Sequence, residues 1–260
     1  MKYINRKSLL YKTEVEYGDY TINHVEGCAH GCRYPCYAMN MAKRFGRIKS
    51  YDEWRQPKLV ANALDLLKVE VPKLRHKIKS VHLCFMTDPF MVGFPEIHEM
   101  TMKIIELLNK SGIKVTTLTK GKYPANLAKF ISRDDNEFGI SLVSKDRKYL
   151  NWIEPYSAKW FVRLRSLEKL HKAGKKTWVS MEPYPTPNIV EQDLSELFDR
   201  IAFADRIVFG RLNYNVKSRM YQNHRQYYNE LSMQVIEFCR KHGIEYHIKN
   251  GTLTKNSAVA

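Results

Sequence analysis

The densest chemistry in the chain lies between Gly27 and Phe45, in the run GCAHGCRYPCYAMNMAKRF. Three of the five cysteines, Cys28, Cys32 and Cys36, fall within nine residues there. Gly27, Gly31 and Pro35 break the segment into turns, so it reads as a loop that aims three thiols at one place. Residues 37–45 contain neither Gly nor Pro and read as a short helix leaving that loop. Three soft thiolates with no fourth cysteine nearby suit a soft-metal centre with one open position. A disulfide framework fits poorly. The cysteine count is odd, and the start of the chain, MKYINRKSLL, has too few apolar residues for a secretory signal. Structural zinc is the stronger rival, with His30 as a possible fourth donor, although zinc knuckles usually use C-x2-C and the pattern here is C-x3-C-x3-C. An iron–sulfur cluster held by three cysteines would leave one iron free. Spacing alone leaves zinc and cluster both open.

The elements that must position this loop show as an alternation. Residues 19–25, DYTINHV, read as a first strand that runs into the cysteines. Residues 81–86, 114–118, 138–143, 177–181, 206–209 and 245–248 read as further strands. Residues 56–72, 97–108, 124–131, 159–173, 189–203 and 221–242 read as helices between them. Such alternation predicts an α/β chain with βα units around a parallel sheet, a partial TIM-like barrel. The strands turn polar just past their C-terminal ends: Thr87-Asp88, Thr119-Lys120, Ser141 and Ser144, Glu182, Arg211 and Asn213, Lys249-Asn250. Parallel barrels build their sites on that face, although strand-to-loop transitions are polar in many proteins without a site. The expected organisation is an N-terminal extension over 1–18, a barrel domain over 19–250 and a flexible tail over 251–260, with loose ends in the first dozen and last ten residues.

The formal net charge is +16 over 260 residues. It predicts an anionic partner, most simply nucleic acid, with a merely solvated basic surface as the alternative. The segment from Arg211 to Tyr228 interleaves Lys and Arg with Tyr214, Tyr221, Tyr227 and Tyr228. That mixture suits phosphate contact and base stacking, and an amphipathic helix with a charged face gives the same pattern. No apolar run is long enough to span a bilayer, and a cytoplasmic protein is expected.

The phrase G-C-x-H-G-C-x-Y-P-C-Y-A resembles the cluster loop of radical S-adenosylmethionine (SAM) enzymes, in particular the branch containing spore photoproduct lyase. Thr87-Asp88-Pro89, Thr119-Lys120, Gly139-Ile140-Ser141 and the segment from Glu154-Pro155 through Arg163 to Ala173-Gly174 are similar to that branch, in the same order. The likeness covers roughly residues 19–215. One departure is Pro35, which adds a residue to the family's usual C-x3-C-x2-C. The resemblance implies a (β/α)6 core. It also implies a [4Fe–4S] cluster on Cys28, Cys32 and Cys36, with SAM on the fourth iron and a 5′-deoxyadenosyl radical that abstracts hydrogen from substrate. A flavodoxin- or ferredoxin-type electron donor would serve it.

By the same resemblance Lys120 faces the SAM carboxylate, and Ser141 its ribose or carboxylate. Thr87 and Asp88 lie near its amino group and Arg163 reaches a carboxylate. Tyr34 and Tyr37 flank the last of the three cysteines, where they would cover the cluster or pack SAM. Each has a plainer alternative: a surface lysine, a serine satisfied by backbone, an aspartate shaping a turn, a solvated helix arginine, core aromatics. Glu182, in Met-Glu-Pro-Tyr-Pro, is a candidate catalytic or ligand-binding carboxylate held rigidly beside two prolines. Cys84 lies near where the lyase places a hydrogen-donor cysteine, but its register relative to Thr87 fits that match poorly and it reads more readily as a small buried hydrophobe. Cys239 receives no role. The expected substrate is a nucleic acid or nucleotide, in repair or modification. The alternatives are a small metabolite or peptide, and a zinc- or cluster-bearing nucleic-acid-binding protein without catalysis.

Overall fold

A computed structural model of the chain describes residues 1–34 and 36–254. Pro35, and with it the effect of the extra loop residue, lies outside the described residues, as does the tail beyond Thr254. The chain opens with β1 (Lys2–Ile4), β2 (Leu10–Lys12), β3 (Tyr20–Ile22) and β4 (Val25–Glu26). After the cysteine loop come α1 (Tyr37–Arg44), α2 (Tyr51–Trp54), β5 (Lys58–Val60), α3 (Ala63–Leu74), β6 (Ser80–Leu83) and α4 (Pro95–Lys110). Then follow β7 (Lys114–Thr119), β8 (Glu137–Ser141), α5 (Arg147–Ile153), α6 (Trp160–Lys172) and β9 (Lys176–Tyr184). The chain ends with α7 (Ser195–Ile201), β10 (Arg206–Arg211), α8 (Val216–Arg219), α9 (His224–His242) and β11 (Glu245–Ile248).

The main sheet has the order β11-β10-β9-β8-β7-β6-β3-β2. Every neighbouring pair from β3 to β11 is parallel, and β2 runs antiparallel at the edge. Val81 pairs with Val115, Phe138 with Thr177 and Val179 with Ile207. Strands buried on both faces must be apolar along their length, and Val81, Leu83, Val115, Phe138, Ile140, Val179 and Ile207 are fully covered. Each such side chain contributes roughly 1.5–3 kcal/mol relative to exposure. α3, α4, α6 and α9 lay their apolar stripes on the outer face, with Leu67, Ile105, Leu167 and Val235 against the sheet. β11 and β2 do not pair with one another, so the barrel is partial.

The expected α/β partial barrel is therefore present, with local differences. Residues 58–60 form a strand, not a helix: Pro57 interrupts the helical reading, and Leu59 and Val60 pair with β1 and β4 in a small three-stranded sheet. Within 124–131 only a 3-10 turn forms, over Leu127–Phe130. The helix expected over 189–203 begins at Ser195. The first dozen residues are not loose. β1 and β2 are paired, and Leu9 and Leu10 enter the core. From β2 the chain crosses the open side of the barrel. Glu16 lies 2.8 Å from His247 Nε2 and 3.3 Å from Lys249 Nζ, and accepts the Asn250 N–H at 3.2 Å. This clasp links the two edges of the sheet.

Candidate active site

The cysteine loop is fixed from several sides. It starts at Gly27, whose φ of +82° and whose approach to the Trp54 carbonyl, 2.8 Å from where a Cβ would sit, both require glycine. The Cys28 N–H donates to that carbonyl at 2.9 Å. Tyr51 Oη donates to the Gly31 carbonyl at 2.5 Å, and the Arg33 N–H to the Ile153 carbonyl at 2.8 Å. Cys36 then caps the start of α1. All three cysteines are free and half-buried. Together they line one cavity of about 230 Å³.

His30, the possible fourth zinc ligand, is 1% exposed. Its Nδ1 stands 3.3 Å from Asp88 Oδ2, and its Nε2 accepts the Val92 N–H at 3.2 Å. Its ring is committed to holding the loop against the β6–α4 connection. Among the described residues no three His, Cys, Asp or Glu side chains converge on a single-ion site.

In the bare protein the thiols are hard to ionise. Burial, then Asp88 and the neighbouring cysteines, pushes Cys28 well up. Burial and Glu154 push Cys32 up to about 12. Burial also raises Cys36, with the amides of Met39 and Ala38 at the start of α1 acting against it. A cationic metal centre is the counter-charge that would hold all three as thiolates.

Thr87, Asp88, Lys120, Ser141, Tyr37 and Cys84 line the same cavity. Asp88 is saturated: its carboxylate accepts from the Phe90 N–H at 2.8 Å, Thr119 Oγ1 at 2.7 Å and the Lys120 N–H at 2.7 Å. Burial alone would raise its pKa; His30 and these donors bring it to about 2. Gly121 permits this close packing, since a Cβ there would sit 1.8 Å from the Phe90 carbonyl oxygen. Asp88 therefore fixes the backbone at Lys120. Thr87 Oγ1 donates to the Val25 carbonyl at 3.3 Å.

Lys120 Nζ faces Glu154 Oε1 at 3.3 Å and lies 5.8 Å from the centre of the Tyr34 ring. Arg163 is 2% exposed. It donates to Glu154 Oε2 at 2.6 Å, the Ala158 carbonyl at 2.7 Å and the Ser141 carbonyl at 3.0 Å. It is thus neither a solvated helix arginine nor a lining residue, but a brace behind Ser141. Glu154, which sequence reasoning did not single out as a site residue, balances both cations and is held at about 2 despite its burial. The signal available was a carboxylate nine positions before Arg163, on the β8–α6 connection.

Cys84 directly follows β6, in a left-handed conformation, φ +64°. Its Sγ lies 3.5 Å from His24 Nδ1, it packs with Val25, Leu59, Met91 and Ile97, and burial pushes its thiol up to about 12. Glu182 lines a different, larger cavity of about 790 Å³. That cavity shares Tyr17, Tyr34, Tyr37, Lys120 and Ser141 with the first and adds Glu16, Arg211, Tyr214 and Lys249. A small thiol-lined chamber thus shares a wall with a wider cavity that carries charged and aromatic side chains.

The family model described as the radical SAM superfamily matches residues 22–201. The chain belongs to that superfamily. Members of that superfamily use a [4Fe–4S] cluster and SAM and need an electron donor. Three free cysteines around one chamber, with His30 committed elsewhere, fit a cluster that leaves one iron open. The fold is similar to spore photoproduct lyase complexed with dinucleoside spore photoproduct: TM-score 0.72, 17% identity, covering 95% of this chain and 82% of that one. It is also similar to Streptococcus suis SuiB bound to S-adenosylmethionine, with TM-score 0.54 and 13% identity over 71% of this chain and 41% of that one. In sequence the chain is 27% identical over 188 residues to the uncharacterized protein ORF301 of Acidianus two-tailed virus, covering 70% of this chain and 61% of the viral protein's length. Among the described residues no helix is long and apolar enough to cross a membrane.

Proposed function

We propose that this radical SAM enzyme acts on a nucleic acid or nucleotide, in repair or modification, with Cys28, Cys32 and Cys36 as the cluster ligands. The observation that carries the reading is the pair of adjoining cavities: three free thiols line the inner one, and cations and aromatics rim the outer one. When bound, the reduced cluster and SAM supply a carbon radical able to remove a hydrogen atom from substrate. The protein's residues do the rest. Asp88 and Glu154 set Lys120, through its backbone and its ammonium, where a carboxylate can meet it. Arg163 holds Ser141. Tyr34 and Tyr37, on the wall common to both cavities, exclude water.

The nucleic-acid reading draws support from the +16 charge and from the loop after β10. Arg211 is held by Asn213 at 2.8 Å. Beyond it Tyr214 and Met220 are 78% and 77% exposed, beside Lys217 and Arg219. Exposed aromatic and apolar side chains among cations offer stacking surface and phosphate contact together. A small metabolite or peptide is the second reading. It is favoured by Glu16 and Glu182, two carboxylates on the outer cavity that would repel phosphate and attract an amine. A flavodoxin- or ferredoxin-type donor and a cytoplasmic setting complete the proposal.

The test begins with anaerobic reconstitution. The wild type should bind about four iron atoms per chain and release 5′-deoxyadenosine when reduced with SAM, and Cys32→Ala should do neither. A colourless protein with one tight zinc would overturn the enzymatic reading. Retention on an oligonucleotide should fall steeply with salt and weaken in Lys217→Glu/Arg219→Glu; salt-insensitive retention would favour the small-molecule substrate.

A further inference from the structure

The electron that reductive SAM chemistry consumes must come from outside, and with substrate in the outer cavity that route is blocked. The other wall of the thiol chamber is thin. Ala38, Ala42, Ile48 and Trp54 form one apolar layer, with Cys28 and Cys36 packed against its inner side. On its outer side α1 and the turn after it present Lys43, Arg44, Phe45, Arg47 and Lys49, all exposed, with Phe45 at 62%. Arg47 lies 5.9 Å from the centre of the Phe45 ring. The separation between thiols and surface is on the order of one helix diameter, about 10 Å.

Cations without an ion-pair partner occur on other helices too, but here no acid stands among them. Lys103 and Lys110 on α4 and Lys172 on α6 have an acid one turn away, Glu99, Glu106 and Glu168, although Lys169 on α6 and Arg240 and Lys241 on α9 take part in no ion pair among the described residues. No Asp or Glu occurs from Gly27 to Tyr51. The nearest acids, Asp52 and Glu53, stand at the edge, and Glu53 accepts the Lys49 backbone N–H. Among the described residues Lys43, Arg44, Arg47 and Lys49 take part in no ion pair. An uncompensated basic rim around one exposed aromatic ring, directly behind the ligand cysteines, complements an acidic partner with a planar redox group.

We propose that the α1 face is the docking site of an acidic one-electron carrier protein of the flavodoxin type, which delivers its electron across the Ala38–Trp54 layer. One electron leaves the reduced carrier and enters the site held by Cys28, Cys32 and Cys36; no atom is transferred. The inference rests on those cysteines holding the cluster.

The experiment uses the cluster-loaded protein and its Lys43→Glu/Arg44→Glu/Arg47→Glu/Lys49→Glu variant. 5′-Deoxyadenosine formation is driven either by a reduced acidic flavodoxin or by photoreduced deazaflavin, a small reductant that needs no docking face. With flavodoxin, kcat/KM should fall about tenfold or more; with deazaflavin the rate should stay within about twofold. Binding of oxidised flavodoxin, followed by its flavin fluorescence anisotropy, should weaken in parallel, and added salt should erase the difference. An unchanged flavodoxin-driven rate and affinity would overturn the proposal. So would a variant that keeps flavodoxin binding and loses oligonucleotide retention, since the face would then belong to nucleic acid. If charge reversal prevents folding, the four Gln replacements carry the same test. Failure of the wild type under deazaflavin would instead refute the cluster reading itself, so the two failures are distinguishable.

Discussion

Glu182, at the outer end of the site, is treated unlike the two carboxylates at the inner end. Around the thiol chamber, Glu154 and Asp88 have side chains 0% and 7% exposed, and cations or N–H and O–H donors engage them. Burial favours their protonated forms, yet both are held at about 2, because the partners outweigh desolvation. On the outer cavity Glu16 is likewise held, by His247, Lys249 and the Asn250 N–H, but Glu182 has no hydrogen bond or ion pair among the described residues, and burial pushes its carboxyl up. The inner end fixes charge before any ligand arrives. The outer end leaves a carboxylate free to meet a ligand. Rigid ion pairs around the three thiols and an unpaired acid at the mouth are what a common cofactor and a particular substrate would each require.

That contrast breaks first if the inner ion pairs prove dispensable. Glu154→Leu leaves Arg163 buried without its partner, and breaking such a pair costs about 3–5 kcal/mol. The urea midpoint should fall accordingly, and Glu154→Leu/Arg163→Met should recover much of the loss, because it removes the fully buried charge pair and leaves only the partly exposed Lys120 ammonium without its partner. Equal losses in the single and double variants would mean that the cost is packing and not charge.

Asp88→Asn should cost less, about 1.5–3 kcal/mol, the worth of hydrogen bonds to a charged group. It should also alter the acid limb of stability. Asp88 and Glu154 sit at about 2 when folded, against about 3.9 and 4.3 unfolded. The unfolded chain therefore takes up protons first as pH falls. Their stabilisation is complete above about pH 5 and is lost toward pH 2. Denaturant midpoints measured from pH 6 to pH 3 should drop more gently in Asp88→Asn than in the wild type.

The sheet was legible because long apolar runs alternate with amphipathic ones, and the site face because polar residues follow the strands; Thr87, Asp88, Lys120, Ser141, Glu182 and Lys249 all line one cavity or the other. What escaped depends on distant partners. Residues 2–4 and 10–12 are short and partly polar, and become strands only through Lys2 pairing with Lys58 and Leu10 with Ile22. Leu59 and Val60 fit a helical period until a second strand claims them. The brace formed by Arg163 and Glu154 follows from burial, which spacing does not report: a helical arginine reads as solvated unless the chain around it covers both groups.

The smallest effect should come from the mouth, and its sign should be reversed. Glu182 binds its proton more tightly folded than unfolded, because burial raises its pKa. Its stabilising influence is therefore present below the unfolded carboxyl range and is lost as pH rises through its raised value. At neutral pH its charge is a small liability, so Glu182→Gln should leave stability unchanged or raise it by no more than about 1 kcal/mol. The same substitution discriminates between substrates. An oligonucleotide entering the outer cavity would lose a repulsive neighbour and bind about twofold tighter or more, whereas an amine-bearing ligand would bind more weakly. If Glu182→Gln destabilised the protein as severely as Glu154→Leu, Glu182 would be holding the mouth together as Glu154 holds the inner chamber, and the contrast between these two carboxylates would fail.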